Sequence, residues 1–175
     1  MTVQTAVFIQ GGFGVPGERY NDGPWRADSY ILRSAEGVTN TIGAKAFTLV
    51  SQGVAKAGGN WFDDGTPFLG ILANPKVAPL QGTLAGGSLA PTLDLPNESQ
   101  ADIVSEGSMV VTLPGPAAIG DLVIYNITTG ALATTAPSVP PPGGFASAFA
   151  AVTHFAVSGA GLAVITLTPN SRTPA

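Results

Sequence analysis

GDLVIYNITTGAL, Gly120 to Leu132, sets two apolar runs on either side of a polar turn. Ile119, Val123 and Tyr125 alternate with Leu122 and Ile124, so the run is apolar on both faces. Asn126 to Gly130 supply turn chemistry, and Gly130 suits a positive φ. The stretch therefore reads as a β-hairpin. A strand apolar on both faces is buried on both, by its own core and by something else. What surrounds the hairpin sharpens the point. From Leu122 to Ser171 the chain has no Asp, Glu, Lys or Arg, and its only titratable side chains there are Tyr125 and His154.

The scarcity of charge extends to the whole chain. At 175 residues it carries 7 basic and 11 acidic side chains, against about 44 charged residues expected at the usual quarter of composition. A surface so poor in charge implies that partners occupy much of it. The net charge of −4, with no Lys or Arg after Lys76 except Arg172, gives no footing for phosphate contacts, so a nucleic-acid partner is not expected. The absence of cysteine excludes disulfides, thiolate metal sites and thiol nucleophiles. MTVQTAVFIQGG lacks the basic and apolar segments of a signal peptide. Gly130, Pro137, Pro140 to Pro142 and Gly143 interrupt the uncharged stretch and argue against a membrane span.

The 23 glycines and 15 prolines punctuate short runs of Val, Ile, Leu, Thr and Phe, which is strand-and-turn patterning. Strands are expected at 2–9, 29–33, 46–51, 67–72, 89–95, 101–105, 108–113 and 161–168, with EGS (106–108) as a tight turn. FASAFAAVTHFAV (145–157) fits both periods; it reads as strand from about Ala150, with 145–149 open. VPPPGG (139–144) reads as a stiff exposed loop. The expectation is an all-β single domain over 1–175, a barrel, jelly-roll-like or β-tulip-like fold. About 1–28 forms an N-terminal strand plus an extended irregular arm, and about 29–175 the β-domain.

Chemical motifs are weak. Gly12-Phe13-Gly14-Val15-Pro16-Gly17 matches the dinucleotide pattern G-x-G-x-x-G, but no helical periodicity follows to face a pyrophosphate. These glycines are better read as letting the arm lie close against another backbone. His154, the single histidine, has no partners for a zinc set and no nucleophile elbow beside it; it reads as packed or interfacial. Asp94, Glu98, Asp102 and Glu106 recur every fourth residue, yet Pro96 and Gly107 argue against a helix that would align them. Asp63-Asp64-Gly65 does not fit a calcium loop. Neither a catalytic residue, a metal nor a cofactor is expected. The sequons at Asn97 and Asn126 carry no weight without a secretory signal.

The arm is richer. Arg19, Tyr20, Trp25, Arg26, Tyr30 and Arg33 crowd a short span, and Arg, Trp and Tyr are the residues most enriched at interface hot spots. They are the candidate interface residues. The plainer alternative is that Trp25 and Tyr30 cover one end of the core.

GVAKAGG (53–59), FLGILANPK (68–76), the run from Gly82 to Leu93, SEGSMVVTLPGPAAIGDLVIYNITTGALATTAP (105–137) and GLAVITL (161–167) appear in that order. Together they resemble the structural cement, or head decoration, proteins of tailed bacteriophages. The resemblance covers about two thirds of the chain and rests on order rather than on any one motif. It implies a small β-domain on the outer surface of the virion's icosahedral head. It also implies binding to the major capsid protein, bridging of capsomers, and assembly as a homotrimer or dimer, with no active site. Two other classes compete: a β-sandwich carbohydrate-binding or adhesin module using Trp25, Trp61 and Tyr20 as a stacking platform, and a His154-dependent hydrolase.

Overall fold

The computed structural model describes residues 14–33, 40–60, 65–74, 94–95 and 98–169. Eleven strands run through them: β1 (Arg26–Arg33), β2 (Asn40–Thr41), β3 (Ala46–Ser51), β4 (Val54–Ala57), β5 (Phe68–Leu72), β6 (Asp94–Leu95), β7 (Gln100–Leu113), β8 (Leu122–Asn126), β9 (Leu132–Thr135), β10 (Phe145–His154) and β11 (Gly161–Leu167). Among the described residues there is no helix. The expected strand at 2–9 lies outside the described residues, as do 89–93 of the one expected at 89–95, whose last two residues are β6, and Asp63 and Asp64.

Nine strands form one sheet in the order β1-β4-β3-β5-β7-β11-β10-β8-β9, and β1 also pairs with β7. That extra pairing closes β1, β4, β3, β5 and β7 into a five-stranded barrel. β1 lies parallel to β4 (Ile31 opposite Val54) and antiparallel to β7 (Asp28 opposite Ile103), while β5 meets β7 at Ile71 opposite Val104. Leu32, Phe47, Ala55, Leu69, Leu72, Ala101 and Ile103 fill the barrel.

β7 is one strand where the sequence reading put two strands and a turn. Its first half belongs to the barrel, and Gly107 to Leu113 pairs residue by residue with Leu167 to Gly161 of β11. Gly107 has φ +123, and a Cβ there would meet the Pro24 carbonyl oxygen at 2.5 Å. Glycine at this position lets the strand bend between its two sets of partners without breaking. The EGS signal therefore marks a bend, not a reversal.

Beyond Gly107 the sheet β7-β11-β10-β8-β9 curls back over the barrel wall. Its inner face (Met109, Val111, Leu113, Tyr125, Leu132, Val152, Ile165) packs on Ala46, Phe68 and Ile71. Phe68 stacks on Tyr125 with ring centroids 5.6 Å apart. All five residues of β5 are buried, because Phe68 and Ile71 face the sheet while Leu69 and Leu72 face the barrel interior. That explains the uninterrupted apolar run FLGIL.

The hairpin read from Gly120 to Leu132 is present as β8 and β9, with Val123 opposite Thr134. Asn126 Oδ1 accepts the backbone N–H groups of Thr128 (2.9 Å) and Thr129 (3.0 Å), and Gly130 has the positive φ expected, +73. The turn docks on the barrel rim: Ala46 N–H donates to Gly130 O (2.8 Å) and Gly59 N–H to Ile127 O (2.6 Å). β10 resolves the open reading of 145–149 in favour of strand. Ala146, Ala148, Ala150 and Val152 face the core, and a register shift between Ser147 and Ala150 accompanies Phe149 at φ +50.

Candidate interaction surface

The arm docks on its own chain. Gly17 N–H donates to Val110 O (2.8 Å), Val110 N–H to Glu18 O (2.9 Å) and Tyr20 N–H to Ser108 O (2.9 Å), so Gly17 to Tyr20 extend the edge of β7. A Cβ on Gly17 would approach the backbone nitrogen of Asn74 at 2.5 Å. The arm's glycine thus allows the close backbone approach read from the sequence. Arg26 to Asp28 are already strand; the regular structure starts before the boundary at 28–29.

The candidate residues fall into two groups. Arg19 folds its guanidinium onto two carbonyls of the arm, Nε to Asn21 O (2.7 Å) and Nη2 to Gly23 O (2.6 Å). The Tyr20 ring lies over the outer face of the sheet, 5.1 Å from His154 and 6.0 Å from Phe155 between centroids. Trp25 is half-buried against the main core. On β1, Arg26 pairs with Asp28 at 3.3 Å in the open, and Tyr30 packs against the barrel core. Arg33 is exposed, on the opposite face of β1 from Arg26 and Tyr30 by the two-residue period. The six therefore do not form one patch. Trp25 of the alternative stacking platform is half-buried, and Trp61 lies outside the described residues.

A hydroxyl ladder crosses three strands beside Tyr20. Ser108 Oγ and Thr166 Oγ1 are 2.9 Å apart, Thr166 and Thr153 Oγ1 are 3.1 Å apart, and His154 Nδ1 is 3.2 Å from Thr153 Oγ1. His154 is exposed and sits among rings and hydroxyls. The described residues hold no group of three or more His, Asp or Glu placed to bind a metal. Asp102 accepts the Ser29 hydroxyl instead.

Large apolar groups meet solvent in both halves of the chain, with Val15 (47%), Ile31 (46%) and Val50 (50%) in the first. Ile119 is 63% exposed, Val139 49% and Leu122 36%. Residues 136–144, including VPPPGG, are exposed throughout. Beside Ile119 an open trough of about 570 Å³ is lined by Pro116, Ala117, Ala118, Asp121, Ala156, Val157 and Ser158. Ile119 and Val139 were not in the candidate set. The signal for them was the missing charge around them rather than any hot-spot residue type.

Comparison with known proteins identifies the family. A family model described as structural cement protein (E217 gp24/Pam3 gp6) matches residues 3–168. A chain in the solved structure "The capsid of Myoviridae Phage XM1" superposes with a TM-score of 0.58 at 12% identity, covering 96% of this chain and 98% of that one. At that identity the likeness is one of fold. No curated protein matches the sequence.

Proposed function

The chain belongs to the phage structural cement protein family, and from that premise we propose that it binds the outer surface of an icosahedral head and bridges neighbouring major capsid protein capsomers. The role of the family is to stabilise the capsid. The observation that carries the finer reading is the surface of β8 to β11 and their loops, free of charge and exposing Leu122 and Val139, with Ile119 exposed at its border beside Asp121. On a shell of fixed symmetry such a surface is covered permanently by capsid and by neighbouring copies. Apolar burial there contributes roughly 25 cal/mol per Å² before the costs of association. Action is by binding alone, with no chemical step.

Self-association as a homotrimer through this half, with a dimer as the smaller variant, follows the same logic. The arm and β1 carry the second contact set: Arg19, Tyr20, Trp25, Arg26, Tyr30 and Arg33. The deciding experiment adds purified protein to heads stripped of it and counts bound copies and their positions by cryo-electron microscopy. Density between capsomers on the outer surface is the expected result; density inside the shell, or none, overturns the reading. Ile119→Asp with Leu122→Asp should leave the protein folded and abolish self-association in sedimentation. Wild-type association should change little between low and moderate salt, because screening acts on exposed charges.

A further inference from the structure

We infer that a cleft where the arm meets the second half of β7 receives one basic side chain of the capsid protein, with Glu106 as its counter-charge. The inference rests on the capsid-binding reading above. The cleft holds about 240 Å³, and Asn21, Pro24, Glu106, Ser108, Thr166 and Thr168 are among the residues lining it. Small-molecule pockets run to roughly 300–1,000 Å³, whereas roughly 150 Å³ suffices for a benzene ring. The volume suits one long side chain.

Charge selects which one. Glu106 is the only ionisable residue in the lining. It is half-buried, and among the described residues its carboxylate has no hydrogen-bond or ion-pair partner. The two arginines near it contact other groups. Arg26 stands opposite Glu106 in the β1–β7 register but pairs with Asp28. Arg19 is held on the carbonyls of Asn21 and Gly23, which stiffen the cleft wall. Strands β8 to β11 contain no cation at all.

The remaining polar wall also favours a donor. Ser108 and Thr166 share a hydrogen bond, Thr166 also bonds Thr153, and Ser108 keeps acceptor capacity for another. A guanidinium or ammonium group brings only donors and a positive charge, and a hydrogen bond to a charged group is stronger than a neutral one. One carboxylate among hydroxyls is too sparse an oxygen set for a divalent cation.

The test compares Glu106→Gln with Glu98→Gln, which removes the same charge from an exposed turn. Affinity for stripped heads is titrated at low and moderate salt, alongside melting curves. Glu106→Gln should melt as wild type, lose about tenfold in affinity, and flatten the salt dependence. Glu98→Gln should match wild type, and Glu106→Asp should retain the salt slope. Equal binding of wild type and Glu106→Gln at every salt overturns the inference and leaves capsid binding intact. A wild type that does not bind stripped heads overturns the underlying reading instead. If Arg172→Gln reproduces the loss, the chain's own tail is the occupant and the inference fails.

Discussion

In the barrel, large side chains point inward: Leu32, Phe47, Leu72 and Ile103 fill the centre, while Arg33, Ser51 and Asp102 meet water. Strand β10 of the curled sheet instead turns mainly small residues inward. Ala146, Ala148 and Ala150 face the core, and Phe145 and Phe149 are only half-buried. Small inward residues let the sheet lie close on a barrel wall already built from Phe68 and Ile71. Phe149, at φ +50, packs back onto Phe68 with ring centroids 5.7 Å apart, and Phe145 stays half-buried. Barrel and sheet thus differ in how they pack, while both leave large apolar side chains exposed, Ile31 and Val50 on the barrel and Leu122 on the sheet.

The sharpest way to break this contrast is Phe47→Ala. Phe47 is fully buried in the barrel, so the cavity should cost about 3–5 kcal/mol in denaturant unfolding. A loss below 1 kcal/mol would mean the barrel interior is not the tightly packed unit described. In the sheet the damaging change goes the other way. Ala148→Leu adds volume where a fully buried alanine faces the core, and overpacking should destabilise by about 1–3 kcal/mol. Unchanged stability would reveal slack between the two layers.

Trp25 joins the two regions and separates its own two roles. Its packing against the core beside Gly107 predicts that Trp25→Ala lowers stability by about 1–2 kcal/mol. If the arm also contacts the capsid, the folded fraction should show reduced head occupancy as well. Normal occupancy with a lowered melting temperature would leave Trp25 as a core lid only. At the small end stands Arg26→Gln. Its ion pair with Asp28 is open to solvent, so stability should move by less than about 0.5 kcal/mol. Any effect should appear in head binding.

Strand content was legible because apolar alternation and Gly or Pro punctuation are local. AFTLVS, FLGIL and GLAVITL became β3, β5 and β11, and NITTG formed the turn its residues specify. VAKA was missed as strand β4, since its edges carry no alternation and only the barrel gives it partners. The EGS bend was misread because the signature of a turn and that of a sharp strand bend are the same glycine. The arm showed no period of its own because its order comes from β7 through backbone hydrogen bonds. Such bonds leave no trace in side-chain sequence. For the surface, hot-spot residue types singled out the arm, whereas the exposed Ile119 and Val139 were signalled only by what their neighbourhood lacks.

The sharing of β7 between barrel and sheet also orders events during synthesis. Barrel partners of β7 all precede it in the chain, but β11, which pairs with Gly107 to Leu113, comes last. At roughly 5–20 residues per second the run SMVVTL waits several seconds on the ribosome for its mate. An apolar strand with open edges is an aggregation hazard throughout that wait. One edge need not stay open. The arm, made before everything else in the described fold, bonds to Val110 and Ser108 without any help from β11, so the nascent chain covers one edge of β7 itself while the other awaits the last strand.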